Sequence, residues 1–378
     1  MSLIDRYLLR QFVRVLVLSF FSLYGLYVVG EFFANVDEFV RYAEQQQRSL
    51  LAVAAEYYAY RSVYLIDRTS GVLATWAATF TLAGFQRHHE LTALLAAGIT
   101  RVRVLRALVV GTIGVSVLAA ANRELVVPAW RDRLALRPKE LGNEALLEVR
   151  PRYDHATNVL LRGKQLVPAE GKILEPSFVL PPGLAAYGTQ LSAAEALYVP
   201  ASADHPAGYL LRGVAAGRGL AHRPSLALGG RPVLITPRDA AWLAPDECFV
   251  VSDVGLELLV GGQTWRDFAS TRELLRGLAN PSLDFGADVR VAVHSRLVQP
   301  LLDVTLFFLA VPLILGRENR NLFLAVGTIM AVVVAFLLVV LACQYLGNIY
   351  LLEPALAAWA PLLLFGPVAA ALFDRLER

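Results

Sequence analysis

Residue types that commonly bind metal ions lie together at His88, His89 and Glu90. The pair His89-Glu90 starts like the HExxH zinc motif, in which two histidines one helical turn apart hold the ion. The second histidine of that motif would follow the glutamate by three residues, where this chain has Ala93. Side chains at consecutive helical positions also diverge, so these three residues cannot converge on one ion. We therefore expect no metal site in this segment.

Motifs for nucleotide binding and covalent catalysis are incomplete or missing. Gly163-Lys164 and Gly171-Lys172 lack both the hydroxyl residue after the lysine and the upstream glycine of GxxxxGK[ST], so neither forms an ATP-binding P-loop. The chain has no GxSxG nucleophile elbow, and none of its histidines has an aspartate five positions later. We therefore expect a non-catalytic chain without a cofactor of its own, which favours transport or scaffolding.

The segments that surround these residues are long and apolar. Hydrophobic residues make up 56% of the 378-residue chain, above the average of about 45–50% for soluble proteins. A helix needs about 20 predominantly apolar residues to cross a bilayer. Six runs approach that length, one of which carries the single charge of Asp303: 15–30, 69–86, 107–122, 297–316, 321–352 and 354–373. We therefore predict six transmembrane helices.

The middle of the chain has the composition of a soluble β domain. None of the 19 prolines precedes residue 128, whereas 11 lie between Pro151 and Pro245, where they indicate turns. Short apolar runs separated by glycine and proline are typical of a β-sandwich or jellyroll. Seven such runs start at Asn158, Lys172, Ser177, Ala196, Tyr209, Pro232 and Cys248.

These patterns divide the chain into four parts. We expect transmembrane helices 1–3 in residues 1–127, the β domain in 128–270, a connecting helix in 271–296 and transmembrane helices 4–6 in 297–378. The predicted fold class is therefore an α-helical membrane protein with six transmembrane helices and an inserted periplasmic all-β, jellyroll-like domain.

Arginine positions predict the orientation of the helices. Outside residues 128–296 the chain has 16 arginines and no lysine, and positive residues favour the cytoplasmic side of a membrane. Alternation across six helices brings four arginine clusters to one side: Arg6, Arg10 and Arg14; Arg87, Arg101, Arg103 and Arg106; Arg317 and Arg320; Arg375 and Arg378. Both termini are therefore expected in the cytoplasm and residues 128–296 on the far side.

Charge and cysteine content exclude other classes of protein. The formal net charge is only +3, so we expect no nucleic-acid partner. The two cysteines, Cys248 and Cys343, fall in the β domain and in a predicted membrane span, which leaves no disulfide framework or thiolate metal site.

The predicted cytoplasmic loop between the second and third helices contains a short amphipathic helix. Glu90 lies in its first turn, where the helix dipole favours an anion, and Gly98 is well placed to end it. Four apolar residues recur there at helical spacing: Leu91, Leu94, Leu95 and Ile99. This pattern predicts either a helix that rests on the lipid surface or a docking helix for a soluble partner.

Three segments of the chain resemble the LptF/LptG family of lipopolysaccharide export permeases. They are Ile4-Asp5-Arg6-Tyr7, residues 90–100 (ELTALLAAGIT) and residues 294–301 (HSRLVQPL) ahead of the fourth helix. The family layout of three helices, a periplasmic β-jellyroll and three more helices covers the whole chain. The loop segment is the most specific of the three elements.

The resemblance implies that residues 90–99 form a coupling helix, which docks into a groove of a separate ABC ATPase dimer that binds ATP and Mg²⁺. The residues implied in coupling are Glu90, Leu91, Leu94, Leu95 and Gly98. It also implies a second LptF/LptG-type permease and a periplasmic bridge protein with a jellyroll fold. The location would be the bacterial inner membrane, and the cargo lipopolysaccharide or a related glycolipid.

The first helix departs from the family pattern at its far end. Family members that handle lipopolysaccharide phosphates have basic residues there, whereas residues 31–41 of this chain contain Glu31, Asp37 and Glu38 and one basic residue, Arg41. Either the headgroup differs or the partner permease supplies the phosphate contacts. The residues expected to contact lipid are Phe32, Phe33, Arg41 and Asp303.

Asp303 has two interpretations, because an ionisable residue inside a membrane span is a candidate functional residue. It lies about one turn inside the predicted periplasmic boundary, which favours an interfacial anchor. If it faces a cavity, it could contact a cationic headgroup.

An alternative function is a membrane-anchored envelope assembly or scaffold protein, whose β domain binds partners without transport. A third, an enzyme that remodels envelope lipids, requires a polar cluster in the β domain that the sequence does not reveal.

Overall fold

A computed structural model describes residues 3–136, 138, 147–167, 170–182, 188–202, 205–214, 222–260, 262–315 and 322–377. The chain divides into two compact units. The helical unit comprises Met1–Leu134, Ala269–Thr271 and Gly286–Arg378, and the β unit comprises Ala135–Phe268 and Arg272–Phe285.

Both units contain helices. In chain order they are α1 (Leu3–Ala34), α2 (Val36–Gln45), α3 (Leu50–Arg87), α4 (Glu90–Ala96), α5 (Arg101–Ala121), α6 (Val127–Ala129), α7 (Arg131–Ala135), α8 (Leu256–Val260), α9 (Gly262–Phe268), α10 (Thr271–Ala279), α11 (Ala287–Leu315), α12 (Leu322–Asn348) and α13 (Pro354–Glu377). A π-helical segment, Asn122–Val126, joins α5 to α6.

Five helical segments in the described residues are long and apolar enough to cross a membrane: Leu3–Ala34, Arg101–Ala129, Ala287–Leu315, Val326–Asn348 and Pro354–Arg375. The sixth predicted span lies in α3, which has 38 residues but does not meet the same criterion of hydropathy. The buried side of α3 is made largely of alanine, serine and threonine, which let neighbouring helices approach closely. Its low hydropathy therefore reflects packing inside the helical unit.

The expected connecting helix over 271–296 differs from the structure. Helix α10 ends at Ala279, and α11 starts at Ala287 rather than at the predicted 297. The break follows from Asn280-Pro281, because proline lacks a backbone donor and the Asn280 side chain accepts a hydrogen bond from the Ser282 backbone N–H at 2.9 Å. The start of α11 was predicted too late in the chain, because its first turns carry polar residues and have low hydropathy.

The core of the helical unit lies between α1, α3, α5 and α11. Small residues of α3 face bulky residues of the neighbouring helices, and members of this cluster include Phe12, Ala74, Ala77, Ala78, Leu105, Leu108, Leu306, Phe307 and Ala310. Many apolar residues on the outer sides of α1, α12 and α13 are exposed, as expected for surfaces that face lipid or another membrane protein.

The β unit contains twelve described strands, all in antiparallel pairs. They are β1 (Leu147–Glu148), β2 (Arg152–Asp154), β3 (Val159–Leu161), β4 (Gln165–Val167), β5 (Lys172–Leu174), β6 (Ser177–Val179), β7 (Gln190–Ser192), β8 (Glu195–Val199), β9 (Gly208–Arg212), β10 (Leu226–Leu228), β11 (Arg231–Ile235) and β12 (Glu247–Val251). Each of the seven predicted apolar runs forms a strand. Strands β1, β2, β4, β7 and β10 were not predicted from the sequence.

The strands form an eight-stranded sheet, ordered β1-β4-β5-β8-β9-β12-β11-β10, and a four-stranded sheet, ordered β2-β3-β6-β7. The chain passes repeatedly from one sheet to the other, as in a wound β-sandwich. Phe178 of the smaller sheet packs edge-on against Tyr209 of the larger one, with ring centroids 5.5 Å apart. The prediction of an inserted antiparallel β domain is therefore confirmed.

A row of alternating charges crosses four strands of the larger sheet. The Lys172 ammonium lies 2.5 Å from the Glu195 carboxylate, and Arg212 lies 3.6 Å from Glu195 and 2.9 Å from Glu247. The hydrogen bond from Lys172 lowers the pKa of the Glu195 carboxyl below its usual range. Opposite charges on adjacent strands help to fix the strand register.

Substitution of Gly208 by alanine should destabilise the β unit. A Cβ atom at this position would lie 2.3 Å from the Val250 carbonyl oxygen of β12, which belongs to the backbone and cannot move aside easily. We expect a loss of about 1–3 kcal/mol, seen as faster hydrogen exchange in β9 and β12. The matched control is Gly255→Ala, where no atom lies within 4 Å; equal exchange in the two variants would contradict this packing.

Candidate functional site

The loop between α3 and α5 forms one short helix with well-defined ends. His89, which precedes α4, has a positive φ of 58°, and this sharp turn separates α4 from α3. At the other end, Gly98 has a φ of 82°, its N–H donates to the Leu95 carbonyl, and the Ile99 N–H donates to the Leu94 carbonyl, each at 3.0 Å. This pair of bonds is a Schellman motif, so Gly98 ends the helix as predicted.

The leucines of α4 point towards the helical unit. Leu91 is only 6% exposed, and Leu94, Leu95 and Ile99 pack partly buried against the same core. The outward face consists of small or polar residues: Thr92, Ala93, Ala96, Ala97 and Gly98. This arrangement disfavours a helix that rests on lipid, because such a helix would turn its leucines outward. The leucines therefore position the helix, and its small residues form the accessible surface.

Glu90 is held by the start of α1. The Tyr7 hydroxyl donates a hydrogen bond to Glu90 Oε2 at 3.2 Å, and the Tyr7 ring packs edge-on against Phe85 with centroids 5.6 Å apart. A cavity of about 350 Å³ opens beside this pair, and its lining is mainly apolar: Leu3, Ile4, Tyr7, Phe85, Glu90, Ala93 and Leu94. The structure thus brings two of the three motif segments, residues 4–7 and 90–100, into one site.

The predicted lipid contacts at the end of α1 are arranged unequally. Phe33 is 72% exposed, whereas Phe32 is half-buried and stacks on Phe39 of α2 with ring centroids 5.7 Å apart. Arg41 is exposed on α2. An apolar ring and a charged group are therefore both accessible at this end of the helical unit.

A tyrosine cluster next to these residues is absent from the sequence-based predictions. Tyr24, Tyr27 and Glu31 lie on one face of α1, and Tyr57, Tyr58 and Arg61 lie near the start of α3. The Tyr24 hydroxyl donates to the Tyr58 carbonyl oxygen, while Arg61 Nε donates to the Tyr57 hydroxyl at 3.1 Å. The helical spacing of 24, 27 and 31, all polar-tipped in an apolar span, was the signal that could have revealed it.

Asp303 is buried in the helical unit. Its side chain is 4% exposed and accepts hydrogen bonds from Ser116 of α5 at 3.0 Å and from Gln299 at 2.8 Å. In this structure the Asp303 carboxylate faces neighbouring helices, while its contact with lipid stays a prediction. The carboxylate links three helices, since it also packs against Gly71 of α3.

A second set of buried polar contacts joins α3 to the π-helical segment after α5. Arg123 Nε, in the π-helical segment, forms an ion pair with Asp67 of α3 at 2.8 Å, and both side chains are largely buried. Asn122 donates to the Val63 carbonyl oxygen at 2.9 Å. A buried ion pair contributes mainly to the specificity of packing, because desolvation offsets most of its attraction.

Comparison with known proteins identified one matching family. The model of the family described as "Lipopolysaccharide export system permease LptF/LptG" matches residues 6–152 and 262–375, which is more than half of the chain. The matched ranges include α4 and the helices on both sides of the β unit. A search of curated proteins found no match.

Gly98 allows a direct test of how α4 ends. Gly98→Val should distort the turn, because a β-branched residue strongly disfavours the left-handed conformation, whereas Gly98→Asn should be tolerated. We expect a loss of at least about 1 kcal/mol for valine and a smaller one for asparagine, measured by thermal unfolding. Equal stability of the two variants would contradict the observed φ.

Gly71 tests the contact between α3 and α11. A Cβ atom here would lie 2.1 Å from Asp303 Oδ1, so Gly71→Ala should displace the carboxylate and destabilise the helical unit by about 1–3 kcal/mol. The matched control is Gly84→Ala in the same helix, where no atom lies within 4 Å. The control should be neutral or slightly stabilising, since alanine favours helix more than glycine. Unfolding of the purified protein in detergent distinguishes the two; a stable Gly71→Ala variant would rule out this contact.

Proposed function

This chain belongs to the LptF/LptG family of lipopolysaccharide export permeases, and we propose that it is the transmembrane permease subunit of an ABC-type exporter. Its cargo is lipopolysaccharide or a related glycolipid, extracted from the inner membrane and passed to a periplasmic bridge. The observation that carries the proposal is the family match across both groups of helices, together with a short helix between α3 and α5 whose accessible face is free of large side chains.

We count six membrane spans in the helical unit, namely the five long apolar helices and α3. At about 1.5 Å per residue, the 38 residues of α3 extend for about 57 Å, more than the thickness of a hydrocarbon core. It packs against α1, α5 and α11, so its small polar residues are shielded from lipid. With six spans, the arginine clusters predict that both termini are cytoplasmic and that the jellyroll-like β unit is periplasmic. Arg317 and Arg320 of that argument lie outside the described residues.

Helix α4 is the proposed coupling helix. Leu91, Leu94 and Leu95 fix it to the helical unit, so a push on its outer face would move the ends of α3 and α1 together. Gly98 and the alanines of that face let a partner approach closely, and Glu90 offers a carboxylate to a basic residue of the partner. The partner is an ABC ATPase dimer, which supplies ATP, Mg²⁺ and the catalytic residues.

The outer surface of α1 suits a second permease of the same family. Its exposed apolar residues include Leu18, Phe21, Leu26 and Val29, which in a membrane face either lipid or another apolar helix. We propose that the lipid is bound between the two permeases, with Phe32, Phe33 and Arg41 as contacts on this chain. We propose a positioning role for Asp303, because its buried carboxylate packs α11 against α3 and α5.

Reversal of the charge at Glu90 tests the coupling proposal. In a reconstituted complex of the permeases and the ATPase, Glu90→Arg should reduce ATPase activity and the amount of co-purified ATPase by at least about tenfold, because removal of one partner from a charge pair costs about 2–5 kcal/mol. The matched control is Glu44→Arg, on the exposed face of α2.

Two outcomes of this experiment and one separate measurement decide between the functions. Loss of ATPase with Glu90→Arg, but not with Glu44→Arg, supports the exporter. ATPase activity that Glu90→Arg leaves unchanged would reject the coupling assignment. Recovery of envelope proteins without any P-loop ATPase or second permease, by mass spectrometry of material purified in mild detergent, would support the scaffold instead.

A further inference from the structure

The tyrosine cluster between α1 and α3 contains two buried polar atoms that lack hydrogen-bond partners among the described residues. They are Glu31 Oε2 and the Tyr58 hydroxyl. Tyr58 is 6% exposed, and an unsatisfied buried polar group costs about 1–3 kcal/mol. Such an arrangement is typical of a site that a ligand completes.

The walls of the cluster are aromatic. Tyr57 and Tyr58 pack edge-on with ring centroids 5.1 Å apart, and Phe39 packs against Tyr57 at 5.3 Å. The Glu31 carboxylate lies near the hydroxyls of Tyr27 and Tyr57. A carboxylate among aromatic rings attracts a cation, both by its charge and through cation–π interactions with the rings.

The Arg61 guanidinium lies over the Tyr57 ring, 5.5 Å from its centroid, and leaves Glu31 Oε2 and the Tyr58 hydroxyl without a partner among the residues that the structure describes. Its Nε donates to the Tyr57 hydroxyl at 3.1 Å and its Nη1 to the Leu134 carbonyl oxygen at 3.2 Å. No ion pair joins Arg61 to Glu31 within the described part of the chain. The guanidinium therefore supplies a fixed positive charge beside Glu31, and two fixed charges of opposite sign suit a zwitterion.

Glu31 lies at the far end of the apolar part of α1. The charge-free run 15–30 precedes it and extends for about 24 Å at 1.5 Å per residue. Arg14 and Glu31 flank this run, so Glu31 is the first charged residue after it. Phe33, two residues later, is exposed and available to an acyl chain.

From these observations we propose that Glu31 and Tyr58 bind the ammonium group of a zwitterionic lipid headgroup, whose adjoining phosphate is attracted by Arg61. The ammonium donates to Glu31 Oε2 and to the Tyr58 hydroxyl, the two atoms that lack partners. This inference deepens the proposed function and rests on it for one point, the identity of the bound molecule as a membrane lipid. It accounts for the acidic end of α1, because a headgroup with an amine needs a carboxylate where a headgroup with phosphate alone needs a base.

The test measures lipid binding by the full-length chain in nanodiscs made from equal parts of phosphatidylethanolamine and phosphatidylglycerol. Native mass spectrometry then reports which lipid remains bound. We expect phosphatidylethanolamine to be enriched in the parent chain and the enrichment to fall about tenfold in Glu31→Gln, as expected for the loss of one charge-assisted hydrogen bond. Tyr58→Phe, which keeps the ring, should weaken it about threefold, and Glu44→Gln should leave it unchanged.

Several outcomes would overturn the proposal. Enrichment of phosphatidylglycerol, or equal enrichment in the parent and both site variants, would reject the ammonium site. Displacement of the lipid by soluble phosphoethanolamine would show that the site takes the polar group alone and would reject the lipid assignment. If Glu31→Gln fails to fold, Tyr58→Phe alone decides.

The same variants separate this inference from the proposed function. Glu31→Gln alters lipid selectivity in the isolated chain, where no ATPase is present. If Glu90→Arg abolishes coupling but does not change lipid selectivity, the result is consistent with the headgroup site. Loss of selectivity while ATPase binding is normal leaves the exporter standing.

Discussion

The close approach of α3 to α11 is the contact on which the other parts of the helical unit depend. Gly71 has no side chain because the Asp303 carboxylate occupies the space that a Cβ atom would need. Lipid offers no hydrogen bonds, so the carboxylate must be satisfied inside the protein, and Ser116 and Gln299 do this. At the other end of α3, the Gln86 side chain donates to the Ile314 carbonyl oxygen of α11 at 3.1 Å. These contacts hold the second half of α3 against α11.

The position of α4 follows from that of α3. Only His88 and His89 separate the two helices, and the leucines of α4 complete the core that α3, α5 and α11 form. Tyr7 then joins α1 to the same place through Glu90 and Phe85. A partner that binds the outer face of α4 would thus act on α1 and α3 together, and these two helices carry the tyrosine cluster at their opposite end. Rigid helices can transmit such a movement because packed interiors deform little.

The two ends of α1 and α3 have different chemistry, which fits a protein that binds different partners at each end. At the α4 end, an exposed surface of small residues lies beside one carboxylate and a shallow apolar cavity. At the other end, aromatic rings surround an incompletely bonded carboxylate and a fixed guanidinium. The first arrangement suits a protein surface that approaches the backbone closely, and the second suits a small polar group with a positive charge.

Local patterns along the chain were sufficient to predict the alternation of helical and β parts, seven of the twelve described strands and the end of α4 at Gly98. Hydropathy, β-propensity and the conformational freedom of glycine act over a few residues, so their effects can be predicted from the sequence. Hydropathy indicated a span in α3 only weakly, because this helix carries small polar residues. Neighbouring helices shield these residues from lipid. The burial of Asp303, the contact of Tyr24 with Tyr58 and that of Tyr7 with Glu90 join residues that are distant in the chain. Those contacts depend on which faces of the helices pack together. Only the tertiary structure determines these faces, because a contact stabilises the fold only once both helices are in place.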